Sequence, residues 1–461
     1  VRGLELLPRG GQWRGVRVGV LGLGRSGRGA LRLLERHGAD ASAFEDRIES
    51  ATLDALHDEG LGHVEPRPAS DGGAALVQEL DVLVVSPGVP GNHPMVVAAE
   101  IAGVVVISEL ELAWRRTRGD VIAVTGTNGK STTVTLIHEL LKAGGLQSVL
   151  AGNIGIALSD EVESVDEDGV LVVECSSFQL ERIMDFHPRV AAILNIAPDH
   201  LDRYDSFEAY VVAKHNLLRN QLPGDLFVYP AGDGRLEEWA RVGVARVARF
   251  SVRVANDVSA WVEDGILMRG NGAAPERVCP VSALRLIGQH NLLNITAALA
   301  AITPWKIPVE QVANVLRRFE ALPHRAVCVQ TDDGRTWIDD SKATNVHAAS
   351  ATLAGIDGPV VLLVGGSDKD EDYTPLADFS DRIRGALCFG AEAERLQAAL
   401  GSGIACEVFG RMIDALERAN EIAAPGDTVL LSPACASFDE FSGYAERGEV
   451  FADWVRRNAG V

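Results

Sequence analysis

The 461-residue chain predicts an α/β protein of three domains. These are a Rossmann-like N-terminal domain, a central P-loop ATPase-type mononucleotide-binding domain, and a Rossmann-like C-terminal domain. Short apolar runs alternate with helical stretches along the chain, the pattern of parallel strands joined by crossover helices. Two glycine-rich turns each sit between an apolar run and a helical stretch, at residues 22–27 and 125–132. At roughly 150 residues per domain, the length favours three, with divisions expected at 1–118, 119–322 and 323–461.

The first block opens with a strand over 16–21, then Gly22, Gly24 and Gly27, then a helix ending near Gly38. A second strand over 41–44 leads to Asp46 and Arg47, and a buried strand at Val82–Val85 runs into Ser86-Pro87-Gly88. The second block starts at Asp120 with a strand over 121–124, a turn over 125–129 and a helix over Lys130–Ala143, closed by Gly144-Gly145. Strands follow at 170–173 and 190–194, then helices at 292–302 and 309–319. Leu322-Pro323-His324-Arg325 marks a boundary, with proline interrupting the helix. The third block has strands at 360–364, 386–389, 407–409 and Thr428–Leu431, with helices between.

Bulk composition narrows the function. The formal net charge of −21 repels nucleic acid and anionic membranes, so a bound polyanion needs a local positive pocket. Six cysteines without a CxxC pair argue against a disulfide framework or zinc cluster and fit a reducing compartment. No signal-peptide pattern opens the chain and no apolar run nears the ~18 residues of a membrane span, so a cytoplasmic enzyme, working as a monomer, is expected.

The strongest motif is Thr125-Gly126-Thr127-Asn128-Gly129-Lys130-Ser131-Thr132. Its glycines let backbone N–H groups wrap phosphate oxygens at a helix N-terminus; Lys130 reaches the β/γ-phosphates and the Ser131 hydroxyl suits Mg²⁺. Val124 stands where the usual pattern has its first glycine, so the loop is a variant. Glu174, at the end of a strand, is placed to approach the metal, and His200 leaves the end of another. Lys214 alone reads as a solvated helix charge. Gly22-x-Gly24-x-x-Gly27, with Asp46 about 20 residues on, fits a dinucleotide fingerprint; it equally leaves room for the diphosphate of a UDP-sugar, and Arg25 and Ser26 suit a diphosphate or uracil edge. Three loops of the last block follow strands, where open α/β sheets bind ligands: 339–345, 365–369 and 431–438.

Taken together these residues resemble the Mur ligases over essentially the whole chain. The marks are TGTNGKST (125–132), GNIG (152–155), ECSSFQLE (174–181), DHLDRY (199–204), HNLLN (290–294), LPHR (322–325), DDSKATN (339–345) and SPACAS (432–437). DSKATN with SPACAS resembles the branch that adds D-glutamate. The resemblance implies ATP and Mg²⁺ as cofactors, with UDP-N-acetylmuramoyl-L-alanine and D-glutamate as substrates. It implies that Lys130 contacts ATP phosphates, that Ser131, Glu174 and His200 hold magnesium, and that Lys214 is carbamylated into a carboxylate-like ligand. Asn291, Asn294, Arg325 and Asp340 match positions on the nucleotide. Asn153 and His200 match positions on the UDP-linked substrate, alongside Gly24, Arg25, Ser26, Asp46 and Arg47. Lys342, Thr344, Lys369 and Ser437 match positions on D-glutamate, and Tyr444 stands where relatives can have phenylalanine. The implied reaction passes through an acyl phosphate, with closure of the domains around ligands drawn from all three.

Three rival readings remain. A dehydrogenase explains only the N-terminal glycines, and an ATP-driven switch predicts hydrolysis insensitive to amino acids. A sister amide ligase, such as a folylpolyglutamate synthase, differs in its substrate.

Overall fold

Three sheets, one in each block, carry the chain, and the topology of each explains where its loops point. The computed structural model describes residues 4–69, 73–201, 203–255, 257–270, 275–286, 288–367, 371–401 and 403–459. The first sheet contains β1 (Arg17–Leu21), β2 (Asp40–Glu45), β3 (Arg67–Pro68), β4 (Val82–Val85) and β5 (Val105–Ser108), in the order β3-β2-β1-β4-β5. All pairings are parallel, and β1 lies between β2 and β4, the point where the strand order reverses. The 22–27 glycine turn therefore opens into the crevice at the carboxyl end of the sheet.

The second sheet holds β6 (Asp120–Thr125), β7 (Ser148–Gly152), β8 (Val170–Glu174), β9 (Val190–Ile193), β10 (Leu226–Pro230), β11 (Arg246–Phe250), β12 (Val258–Glu263), β13 (Ile266–Arg269) and β14 (Glu276–Pro280). Their order is β14-β13-β12-β11-β10-β9-β6-β8-β7. β6 is flanked by β8 and β9, so residues leaving these three strands converge on the phosphate loop. Only β12, β13 and β14 pair antiparallel. The turn between β12 and β13 is Asp264-Gly265, both with positive φ (48° and 71°), which is the backbone a tight hairpin requires. The sequence reading passed over this stretch of strands.

The third sheet contains β15 (Val327–Val329), β16 (Thr336–Asp339), β17 (Val360–Gly365), β18 (Ile383–Phe389), β19 (Cys406–Phe409) and β20 (Thr428–Leu431), ordered β15-β16-β20-β17-β18-β19. One boundary differs from expectation. The helix Val309–Arg318 ends before Pro323 is reached, with Phe319 already extended, so proline does not stop it. The six cysteines are free thiols.

The apolar cores show how the blocks are joined. One contiguous cluster runs from Leu4 through Trp114 to Leu180 and Leu236, crossing from the first sheet's layer to the second's. The two clusters of the C-terminal block begin at Val329 and Ala343 and contain nothing earlier. The first two domains thus share buried apolar surface, whereas the third meets the centre through polar groups.

Glu109 sits in the first seam. Its Oε1 accepts from the Ser159 N–H at 2.6 Å, beside the Arg32–Asp160 ion pair at 2.7 Å. Burial pushes its carboxyl up to about 7, with the Asp160 charge adding to the rise and Arg25 opposing it. Because the folded state holds a proton that the unfolded chain gives up near 4.5, this group's stabilising contribution is complete below pH 4.5 and is lost as pH rises through 7. Glu109→Gln keeps the shape and abolishes the titration. The variant is expected to gain roughly 3 kcal/mol relative to wild type between pH 5 and pH 8, read from unfolding across that range. A constant difference between the two proteins would show that Glu109 does not titrate in the seam.

Candidate active site

The phosphate loop leaves β6 and enters the helix Lys130–Ala143. Gly126 and Gly129 have φ of 155° and 85°, and a Cβ on Gly129 would lie 2.2 Å from Asn294 Oδ1. Both the backbone conformation and the approach of Asn294 therefore demand glycine there. Lys130 folds back over the loop, its Nζ donating to Gly126 O and Thr127 O at 2.8 Å each. The Ser131 hydroxyl accepts from Arg325 Nη2 at 2.7 Å, a link from the 322–326 connection to the loop. Asn195, just past β9, clasps Asn128 from both sides, with Asn128 N donating to Oδ1 (2.9 Å) and Nδ2 donating to Asn128 O (3.1 Å). The Thr127 hydroxyl donates to Ala197 O and lies 3.0 Å from Tyr210 OH.

Opposite the loop stand Glu174, His200 and Lys214. In the register of the sheet Glu174 is level with Val124, the last residue but one of β6. Its Oε1 accepts from Asn153 Nδ2 at 2.7 Å, while Oε2 is buried without a partner. His200 adopts a left-handed backbone (φ 58°), which turns its ring toward Asp199 Oδ2, 3.6 Å away. Lys214, 1% exposed at the end of the helix Phe207–His215, donates from Nζ to Gly126 O at 2.9 Å and lies 4.5 Å over the Tyr210 ring. Burial, reinforced by the charge of Lys130, drives its pKa well below that of a free lysine. This reverses the plain sequence reading of a solvated helix charge: Lys214 is buried, and its surroundings disfavour the ammonium form.

These groups line a cavity of about 240 Å³ with Asn153, Phe178, Lys342 and Thr344. On one side a second cavity, about 430 Å³, is walled by Gly24, Arg25, Ser26, Asp46, Ser86–Val89 of the turn after β4, Asn153 and Gln179. On the other side a third, also about 430 Å³, is walled by Asn291 and Asn294 at the start of the helix Gln289–Ala301, with Arg325, Asp340 and Lys342. The two asparagines, three residues apart, share one helix face. Asp340, held by the Thr352 and Ser432 hydroxyls, has its carboxyl pushed up to about 7 by burial.

The residues expected to meet D-glutamate are only partly brought together. Lys342 and Thr344 line the central cavity, and the Lys342 ammonium lies 3.8 Å over the Tyr444 ring. Ser437 is buried (2% exposed) and lies outside that lining. Lys369 falls outside the described residues. Arg47 is exposed and does not line the cavity at the glycine turn, whereas Asp46 does; Glu45 braces that turn, its carboxylate accepting from Leu23 N and Asp46 N. Asp46 pairs instead with His93 at 3.1 Å.

Sequence reasoning left three contributors unassigned. Asn345 caps the helix Val346–Ala354 and also reaches Asn128 and Asp199, tying the third domain to the phosphate loop; an Asn ahead of a helical stretch was the available signal. Gln179 lines the cavity at the glycine turn from within ECSSFQLE. Arg447, fully buried in the helix Tyr444–Asn458, donates to Ser341, Cys435 and Ala436 and so holds two loops of the last block; a helical arginine gives no sequence sign of this.

Fold and site define a nucleotide-binding protein of the phosphate-loop class, with a cleft lined by three α/β domains. Known proteins narrow this further. Residues 16–108 match the Mur ligase MurD-like N-terminal domain, 124–302 the Mur ligase middle domain and 324–435 the Mur ligase glutamate ligase domain. The chain is 38% identical to the UDP-N-acetylmuramoylalanine–D-glutamate ligase of Salinibacter ruber, over 95% of this chain and 97% of that protein. It is 39% identical to the protein of the same name from Trichlorobacter lovleyi, over 95% and 98%. Solved structures share the fold: a pseudomurein peptide ligase type C from Methanothermus fervidus (TM-score 0.61, 18% identity, 96% of this chain and 100% of that one) and a UDP-N-acetylmuramate–alanine ligase from Thermotoga maritima (0.59, 20%, 96% and 99%). The chain belongs to the Mur ligase family.

Proposed function

We propose that this chain is an ATP- and magnesium-dependent ligase that joins D-glutamate to UDP-N-acetylmuramoyl-L-alanine through an acyl phosphate, in peptidoglycan precursor synthesis. The observation that carries the reading is that three cavities stand in a row and share walls. Asn153 belongs to both the diphosphate cavity and the central one, while Asn128, Gly129, Arg325 and Lys342 belong to both the central and the nucleotide cavity. A UDP-linked acceptor and ATP entering from opposite ends would meet beside Lys130. The names of the relatives in Salinibacter and Trichlorobacter supply the particular substrates.

In this reading Asn291, Asn294 and Asp340 hold the nucleoside, and the loop N–H groups with Lys130 neutralise the γ-phosphoryl as it moves to the alanine carboxylate. The D-glutamate amine then attacks the acyl carbon and inorganic phosphate leaves, with the amine's protons passing to solvent. Lys342 and Thr344 offer the cation and hydroxyl that an amino-acid carboxylate needs.

Among the described residues no group of three or more His, Cys, Asp or Glu side chains is set to hold a metal ion. A magnesium ion shared with substrate phosphates asks for less, one or two protein oxygens, and the unpartnered Glu174 Oε2 with the Ser131 hydroxyl fits that demand. When bound, the ion would supply charge neutralisation on the phosphates. In this reading the chain works as a monomer, with divisions near 118/119 and 322/323. Among the described residues no helix is long and apolar enough to cross a membrane, and the reading places the protein in the cytoplasm.

The test is phosphate release from ATP and Mg²⁺ with UDP-N-acetylmuramoyl-L-alanine across a panel of D- and L-amino acids. Release requiring both the acceptor and D-glutamate is expected. Release with another amino acid would keep the ligase and discard its substrate.

A further inference from the structure

The turn that walls the diphosphate cavity is held from the central domain. Arg203 donates from Nη1 to Pro87 O and from Nη2 to Val89 O, each at 2.6 Å, while its guanidinium lies 3.8 Å over the Phe178 ring. Pro87 and Val89 both line the cavity. Val89 also rests on the glycine turn, since a Cβ on Gly22 would come within 2.8 Å of Val89 Cγ2. At its other end Arg203 is joined to His200. The N–H groups of Arg203 and Tyr204 donate to His200 O at 3.0 and 3.1 Å, and Phe178 meets the His200 ring edge-on at 4.9 Å. His200 lines the central cavity. One residue thus joins the two walls, its side chain reaching Pro87, Val89 and the Phe178 ring and its backbone holding His200.

The chemistry suits arginine alone. A flat guanidinium can sit on an aromatic face and direct two parallel N–H donors at the carbonyls of residues i and i+2, whereas an ammonium is a point charge without a plane. A second arginine touches the same segment without making the second link. Arg182 donates to Gly91 O at 3.4 Å and pairs with Glu100, and neither contact involves Phe178 or His200.

We propose that Arg203 is a positioning residue that sets turn 86–90 against the glycine turn and couples filling of the diphosphate cavity to the placing of His200 beside the phosphate loop. The inference rests on the acceptor reading of that cavity. It predicts that the acceptor and the nucleotide strengthen each other's binding, and that Arg203 transmits the effect.

The experiment uses the full chain as wild type, Arg203→Lys and Arg182→Lys. Each is titrated with UDP and with UDP-N-acetylmuramoyl-L-alanine, in the presence and absence of a non-hydrolysable ATP analogue with Mg²⁺, and steady-state constants are taken for all three substrates. Arg203→Lys is expected to weaken UDP binding and raise the acceptor KM by about tenfold or more, with nucleotide affinity and the KM for D-glutamate within about twofold of wild type. The mutual strengthening seen in wild type should vanish in Arg203→Lys and persist in Arg182→Lys. Three results would overturn the proposal: wild-type UDP affinity in Arg203→Lys, equal losses in the two arginine variants, or a parallel loss of nucleotide affinity that marks general misfolding. If wild type binds UDP yet turns over no acceptor, the ligase reading fails, and the UDP titration still decides the role of Arg203.

Discussion

Lys130→Ala is expected to lower turnover roughly a thousandfold or more, because it removes a cation preplaced where negative charge gathers on the transferring phosphoryl group. The fold should survive. The side chain is half-buried, and the bonds it gives up include those to Gly126 O, which keeps the Lys214 donor, and to Thr127 O, whose residue lines the cavity. Each such bond is worth about 1 kcal/mol, so the unfolding midpoint should move by only a few degrees. A second consequence separates this variant from a simple loss of affinity. After burial, the Lys130 charge is the largest cause of the low proton affinity of Lys214. Removing it raises the proton affinity of Lys214, so the variant should also carry less of the Lys214 carbamate that the family resemblance implies. Single-turnover phosphate release, nucleotide titration and thermal unfolding together check this, and normal turnover in Lys130→Ala would remove the phosphate-loop assignment.

How far the site could be read in advance depended on how local its causes are. The phosphate loop was legible because its glycines, lysine and hydroxyls are contiguous and flanked by a strand and a helix. Glu174 was legible as a strand-end acid, and the sheet register then set it level with the loop. Lys214 was legible as a site only through resemblance. What makes it chemically unusual is its insertion against Thr125 and Gly126, more than eighty residues away in sequence, and no local pattern encodes that. The same holds for Arg447, whose partners lie on loops that meet only when β16 and β20 pair. The fold shows a different kind of miss. The β12–β13 hairpin was written in the sequence as Asp264-Gly265 between apolar residues, and passing over it left the central sheet short of its antiparallel edge. Asp46, expected from the dinucleotide spacing to meet a ligand, lines the cavity at the glycine turn, while Glu45, at the end of β2, points back at the turn and braces it. Lengthwise spacing predicts that an acid will be there; the pleat decides which of two neighbours faces in.

Lys214→Ala should abolish most activity and recover part of it with added formate or acetate. The argument starts from the amine. Burial and the nearby Lys130 charge shift Lys214 toward the neutral amine, the form that attacks the carbon of CO₂, forming the N–C bond and releasing one proton to give a carbamate. The product keeps an N–H that can still donate to Gly126 O, and the adjoining cavity of about 240 Å³ has room for the added carboxylate. Its charge would sit beside the Lys130 ammonium in a site otherwise supplied by Glu174, so the modification would give that cation an anionic partner. Loss of that carboxylate should cost roughly a hundredfold or more in turnover. A short free carboxylate entering the space left by the lysine stem can replace the charge but not its tether, so rescue should be partial and should saturate. A direct readout accompanies the kinetics: wild type exchanged into ¹³C-bicarbonate should show a carbamate carbon that is absent from Lys214→Ala and diminished in Lys130→Ala. Absence of that signal in active wild type, together with no rescue of the variant, would leave Lys214 as a buried amine whose task is to hold the Gly126 carbonyl in place.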